Sequence, residues 1–245
     1  MRVVISQPMY FPWPGHMEQI ASADVYVFYD DVQFSKGSFT NRVQIRQSHG
    51  TQWLTVPLRK HPLTAQIREI LVHDPDKVAT SHAATFGNAY RNAPWREEAV
   101  NILQAAFTTL DGNIAMLSAA STTSLSRYLG CSHTQFEYSS TLPIQGCSWE
   151  RVLRICQFFN ATEYVTGHGA LNYLDHAAFD AAGIHVLYAD YSLAEYPQLG
   201  DGFTPYVSTL DLIAMTGPDA RSYIRPKLVP WRDFQARRMK EAADR

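Results

Sequence analysis

The chain has 245 residues, of which 46% are apolar and 18% charged, with a formal net charge of −2. That length suits one large domain or two small lobes and supports a sizeable core. The balanced charge leaves no basic footprint for nucleic acid. No run approaches the ~20 apolar residues that span a bilayer. The start, MRVVISQPMYFPWPG, is broken by Gln7, Pro8 and Pro12 and makes a poor signal peptide. A cytoplasmic protein with neither nucleic-acid binding nor membrane insertion is expected. Cys131, Cys147 and Cys156 form no CxxC pair, so reduced thiols are expected rather than a zinc site. Thirteen Tyr, twelve Phe and five Trp either fill the core or line an aromatic pocket for a sugar or nucleotide.

Val3-Val4-Ile5 is a β-branched run that stops at Pro8 and predicts a buried first strand. Pro12, Pro14 and Gly15 break it. A short helix follows over Met17 to Ala23, then a second strand from Val25 to Phe28 ending in Asp30-Asp31. This is a βαβ unit. Asn41 to Arg46 and Gln52 to Pro57 flank the turn Ser48-His49-Gly50 and predict a hairpin. Ile67 to Val72 reads as a further strand. Residues 75 to 130 read as helical, with Val100, Leu103, Phe107 and Leu110 on one face, Asp111-Gly112 as punctuation and Gly130 as a C-terminal cap.

Gln135 to Tyr138 is a candidate strand. Trp149, Leu153 and Cys156 form a helical stripe, which makes Cys156 a core residue rather than a nucleophile. Tyr164-Val165, a helix closing at Gly183 and the strand Ile184 to Ala189 make a second strand–helix–strand unit. The expected fold is α/β: a mostly parallel sheet with βαβ units at both ends of the chain, an inserted hairpin and a central helical segment. Residues 1–225 are read as one catalytic-type domain, and 226–245 as a basic, solvated terminal helix.

Ligands of open α/β sheets gather beyond the carboxyl ends of the strands. Three segments qualify. Gln7, Tyr10 and Trp13 share a Pro/Gly-rich loop that feeds a helix, whose N-terminus attracts anions; a rigid connection is the other reading. Asp30 and Asp31 are followed by Gln33, Lys36, Asn41 and Arg42. The carboxylates could bind Mg²⁺, hold a sugar hydroxyl or act as a base, and Arg42 offers a fork for phosphate; equally, one Asp caps a turn and pairs with Arg42. Thr166-Gly167-His168-Gly169 lies between strand and helix, where glycines admit a phosphate and His168 either acts as acid or base or is a bonded loop histidine. His82 and Tyr90 lie two turns apart on one helical face. A histidine is a natural general base, but a buried structural one fits the composition as well. No GxSxG or HExxH motif is present.

These residues carry a resemblance. Ile5-Ser6-Gln7-Pro8-x-Tyr10-x-Pro12-Trp13-x-Gly15 resembles the opening signature of the WbqC-like family of bacterial surface-polysaccharide biosynthesis. Asp30-Asp31-Val32-Gln33-Phe34, Asn41-Arg42 and Trp53-Leu54-Thr55-Val56-Pro57 follow, then His82 and Tyr90-Arg91-Asn92-Ala93-Pro94. Thr166-Gly167-x-Gly169 and Ser208-x-x-Asp211-Leu212 are similar too. The chain departs from the pattern at His16, where the family often has an aromatic, and at His168, where Pro is expected. The resemblance implies acyl or aminoacyl (glycyl) transfer to the amine of a nucleotide-linked amino sugar in O-antigen synthesis. No tightly bound cofactor or metal is then needed. The donor would be a thioester of CoA or of an acyl carrier protein. His82, Asp30 or Asp31 would serve as base, and Gln7 or Asn41 as oxyanion donor. Arg42 and the Gly167–Gly169 loop would meet the phosphates, with Thr55, Tyr90 and the other residues above around the substrate. The rival readings are an ATP/Mg-dependent nucleotidyl or adenylate-forming transferase and a non-catalytic sugar-nucleotide-binding module.

Overall fold

The computed structural model describes residues 1–108 and 112–243. Leu110 of the predicted helical face and Asp111 of the predicted break after it lie outside them. β1 (Arg2–Ser6), α1 (Pro14–Ser22) and β2 (Val25–Phe28) form the first βαβ unit. After a hairpin and three helices comes β5 (Gln135–Tyr138), then α5 (Ser148–Phe158), β6 (Glu163–Thr166), α6 (His176–Ala181) and β7 (His185–Ala189). The strands form one sheet in the order β5-β2-β1-β6-β7-β8, where β8 is Leu228–Pro230. The first five are parallel, and β8 pairs antiparallel to β7. The fold is α/β.

Both faces of this sheet are covered, which explains its unbroken apolar strands. Val4, Tyr26, Phe28 and Val165 face one core layer with α1, α2 (Pro75–Ala89), α3 (Arg96–Ala105), α4 (Ile114–Tyr128) and α7 (Thr209–Thr216). Val3, Val25, Val27, Tyr164 and Val186 face the other, with α5, α6 and α8 (Trp231–Ala243). Alternate residues of each strand thus feed opposite layers. No helix among the described residues is long and apolar enough to cross a membrane.

The inserted hairpin is present, and two other expectations need correction. The hairpin forms as β3 (Arg42–Gln47) and β4 (Gly50–Thr55), but it pairs only with itself and packs Val43, Ile45 and Leu54 under the first layer. Ile67 to Val72 is not a strand. A single 3₁₀ turn occupies Ile67–Glu69, and Leu71 and Val72 make only isolated bridges to Asn113 and Leu58. Its apolar residues are demanded by burial of Ile67, Ile70 and Val72, not by sheet pairing. The terminal helix is solvated on one side only, because Phe234 stacks on Tyr188 of β7 with ring centroids 4.3 Å apart.

Asp30 and Asp31 lock the far end of the sheet. Asp30 accepts from the Ser140 amide at 3.0 Å and from the hydroxyls of Ser140 at 2.7 Å and Ser139 at 3.1 Å. Asp31 takes a two-pronged bond from Arg151 of α5 at 2.9 and 2.6 Å, and another from Ser139 at 2.6 Å. Burial pulls the Asp31 carboxyl upward, but the Arg151 and Ser139 bonds prevail and hold it below the usual carboxylate range. The clasp ties β2, β5 and α5 together. Replacing Arg151 by Met strands a buried carboxylate and is expected to cost ~3–5 kcal/mol in urea unfolding. Adding Asp31→Asn should recover much of that loss; equal stabilities for the single and double variants would contradict the clasp.

Candidate active site at the sheet switch point

From β1 the chain steps outward to β2 and β5 on one side; β6 and β7 lie on the other. The connections leaving β1 and β6 therefore diverge and open a crevice beyond their carboxyl ends. A cleft of about 960 Å³ occupies that place, between Ser6 and Gln7 after β1 and Thr166 and Gly167 after β6. This is the upper range for small-molecule sites.

One wall is the entry to α1. Trp13 is its N-cap residue and Pro14 its first residue, whose fixed φ and missing N–H suit that position. A side chain at Gly15 would collide with the Trp13 indole, so glycine lets that ring fold back over the helix start. His16 follows, 3% exposed, with Nε2 2.7 Å from the Tyr26 hydroxyl. Burial lowers the His16 pKa to about 4, so the ring is neutral at physiological pH. Its Nδ1 has no partner among the described residues, and His16 lines the cleft.

The facing wall comes from β6 and β7. His168 Nε2 lies 2.8 Å from the Ala189 carbonyl. A carbonyl only accepts, so Nε2 carries a hydrogen, and in the neutral form of the ring the lone pair is on Nδ1. The ring sits 4.7 Å from both Tyr191 and Phe234. Tyr191 adopts a positive φ of 55°, a costly conformation for a bulky residue. It is held there by Gln19, whose amide donates to the Tyr191 hydroxyl at 2.5 Å, and by Trp13, 4.8 Å away. A Cβ on Gly167 would stand 2.7 Å from that hydroxyl. Tyr206, 65% exposed, and Phe39, 46% exposed, extend the aromatic wall to the rim.

The lining mixes aromatic and aliphatic side chains with a few polar ones and holds no Lys or Arg; its one carboxylate is Asp190. Behind it, burial pushes Glu18 of α1 up to about 7, opposed by the Arg225 amide at 3.1 Å and by Lys227, and reinforced by Asp190. Among the described residues no three His, Cys, Asp or Glu side chains are arranged to hold a metal ion.

Of the residues singled out from the sequence, Gln7, Trp13, Thr166, Gly167, His168 and Gly169 line this cleft. The others lie elsewhere. Tyr10 is fully buried and its hydroxyl donates to His82 Nδ1 at 2.8 Å, while His82 Nε2 donates to the Thr55 carbonyl at 3.3 Å. Both nitrogens of His82 are thus engaged, and burial lowers its pKa. Tyr90 donates to Asp211 at 2.6 Å and accepts from the Arg46 amide at 2.8 Å. Asp30 and Asp31 spend their oxygens on the clasp. The polar cluster expected around Asp30 does not assemble: Arg42 lies 4.3 Å over the Trp53 ring and donates to the Gly37 carbonyl. Gln33 and Asn41 bond the carbonyls of Leu63 and Val56 beside a separate pocket of about 750 Å³, which Thr55 also lines. Residues not given a role from sequence are His16, Gln19, Tyr29, Ser148, Tyr173, Asp190, Tyr191 and Tyr206. Asp190-Tyr191 directly follows β7, so the strand-end rule could have found them.

Two measurements check this construction. Gly167 has an ordinary φ of −92°, so alanine fits its backbone but not the Tyr191 hydroxyl. Gly167→Ala should cost about 1 kcal/mol through overpacking. In a Tyr191→Phe background the cost should vanish; an unchanged cost would mean that Tyr191 does not press on this strand end. Glu18 binds its proton more tightly folded than unfolded, so stability falls as pH rises from about 4.5 to about 7 and then levels. Glu18→Gln keeps the acceptor for Arg225 and removes the charge. It should gain on the order of 2 kcal/mol at pH 8 and nothing at pH 4.5.

The sequence profile of the WbqC-like protein family matches residues 7–223. An uncharacterised protein of Mycobacterium tuberculosis, Rv1507c, is 34% identical over 226 residues, which cover 91% of this chain and 97% of that protein. No solved structure matches the chain. The match runs from the first residue after β1 through the loop beyond α7 and so takes in both walls of the cleft; the chain belongs to the WbqC-like protein family.

Proposed function

We propose that the switch-point cleft binds a nucleotide-linked amino sugar and that the protein transfers an acyl or aminoacyl group to the sugar's amine, as a step in surface-glycan synthesis. The observation that carries this reading is the pairing of two histidines in one aromatic, cation-free cleft. His168 presents a lone pair at Nδ1, and His16 is held neutral. Aromatic faces with amide and hydroxyl groups suit a sugar and a base. Imidazole titrates near neutrality and is the usual acceptor for the proton of an attacking amine.

The steps balance without a metal. The acceptor ammonium gives a proton to His168 Nδ1, and the free amine attacks the thioester carbonyl of a CoA or carrier-protein donor. A C–N bond forms and the C–S bond breaks. The second amine proton leaves with the departing thiolate. The oxyanion formed on the way needs neutral donors. The Gln7 side chain and His16, where its hydrogen sits on Nδ1, are the candidates among the lining residues. His168 takes the role of base that the resemblance had given to His82 or Asp30, whose polar atoms are already spent on structural bonds. The same bonds count against a nucleotidyl transfer with Mg²⁺ at Asp30-Asp31.

The test is a thermal-shift screen with nucleotide-linked amino sugars and their hydroxy parents, followed by thiol release from acyl thioesters. Amino sugars at 100 times their dissociation constant should add ~2.7 kcal/mol of stability, and hydroxy parents less. His168→Ala should cut turnover at least ~100-fold while binding persists. Stabilisation by ATP with Mg²⁺ alone, or undiminished turnover in His168→Ala, would refute the proposal. Binding with no turnover in the wild type, for any thioester, would identify a binding module instead.

A further inference from the structure

A smaller pocket of about 240 Å³ borders the cleft and shares Met9, Trp13, Phe39 and Tyr206 with it. Its deeper part is made by Tyr10, Pro12 and Val43. No charged, amide or carboxyl side chain reaches it. Tyr10 turns its hydroxyl away onto His82 and gives the pocket only its ring. A sugar or a nucleobase placed there would leave its polar edge unpaired, at a cost of a few kcal/mol per group. An aliphatic chain loses nothing. At roughly 30 Å³ for each heavy atom, the share of a water in the liquid, the space holds about eight of them.

We infer that this pocket takes the acyl chain of the donor, so that the transferred group is a medium-length aliphatic acyl rather than glycyl or acetyl. The inference rests on the transfer reading for what the chain is attached to. The shared residues set the two spaces side by side at the Trp13 indole, so a chain in the pocket would present its carbonyl to the cleft on the side of the α1 entry. The bond between Tyr10 and His82, outside the cleft, thereby gains a second consequence: it keeps the pocket floor apolar.

The experiment is calorimetric titration of the wild-type protein with N-acetylcysteamine thioesters from acetyl to decanoyl. Affinity should rise about fourfold for each added methylene, up to about eight carbons, and then level. Val43→Trp should flatten the series to the acetyl value, and Val43→Ala should carry the rise to longer chains. Should the larger side chain fail to fold, as its melting curve would reveal, the alanine variant decides alone. A flat series in the wild type, or an unshifted break point in Val43→Ala, would overturn the inference. The two readings fail separately. A flat series with amino-sugar stabilisation leaves the transfer reading with a short acyl group. A chain-length series without amino-sugar stabilisation leaves the pocket and removes the acceptor.

Discussion

The structure depends on β1 being buried between two parallel neighbours whose connections leave in different directions. Val3 and Val4 are fully buried and pair with β2 on one side and β6 on the other. Parallel pairing sends every strand's carboxyl end to the same edge. At that edge the chain after β1 must cross to α1, and the chain after β6 must turn toward α6. Neither can fill the gap between them, so the cleft follows from topology before any side chain is chosen. The helices on both faces and the clasp at Asp31 keep the two walls from drifting apart.

On that frame the wall residues are fixed by bonds made behind them. Tyr26 holds His16, the Ala189 carbonyl holds His168, and Gln19 holds Tyr191. Each partner uses one polar atom of the residue and sets the ring's position. The strained φ of Tyr191 persists because Gln19, Trp13 and His168 all engage it. Strain that several neighbours over-determine is typical of sites where geometry matters more than stability. The near absence of a side chain at Gly15 and Gly167 is what lets two aromatic groups lie against the backbone.

Much of the fold was legible because local rules and tertiary demands agree. Alternation and β-branching located β1, β2, β6 and β7, and Pro/Gly breaks located the loops that become the cleft walls. The edge strand β8 was not legible: Leu228-Val229-Pro230 is three residues long, and its pairing depends on β7 being beside it. Ile67 to Val72 misled because burial alone produces the same apolar run as a strand. For the site, adjacency to a strand end was the useful signal, and it found Gln7, Trp13 and the Gly167–Gly169 loop. It could not separate His168, whose second nitrogen is left over, from His82, whose nitrogens are both used. That difference depends on which carbonyl or hydroxyl the fold brings near, over separations of 72 residues for Tyr10 and His82 and 21 for His168 and Ala189.

The electrostatics narrow the chemistry further. A cleft whose lining has one carboxylate, two histidines and no Lys or Arg leaves a ligand's phosphates to backbone N–H groups, such as those of the Gly167–Gly169 turn, and to solvent. It suits a ligand whose charged reacting group is cationic. Glu18 adds little to that bias, because burial pushes its carboxyl up to about 7 and so favours the neutral form. Asp190 is the one carboxylate of the lining, and Arg237 Nη1, 3.8 Å away, offsets part of its charge. His16, kept neutral by burial, cannot repel the incoming cation as an imidazolium would. The lining therefore sets no fixed cation against an ammonium, in keeping with the proposed amine acceptor.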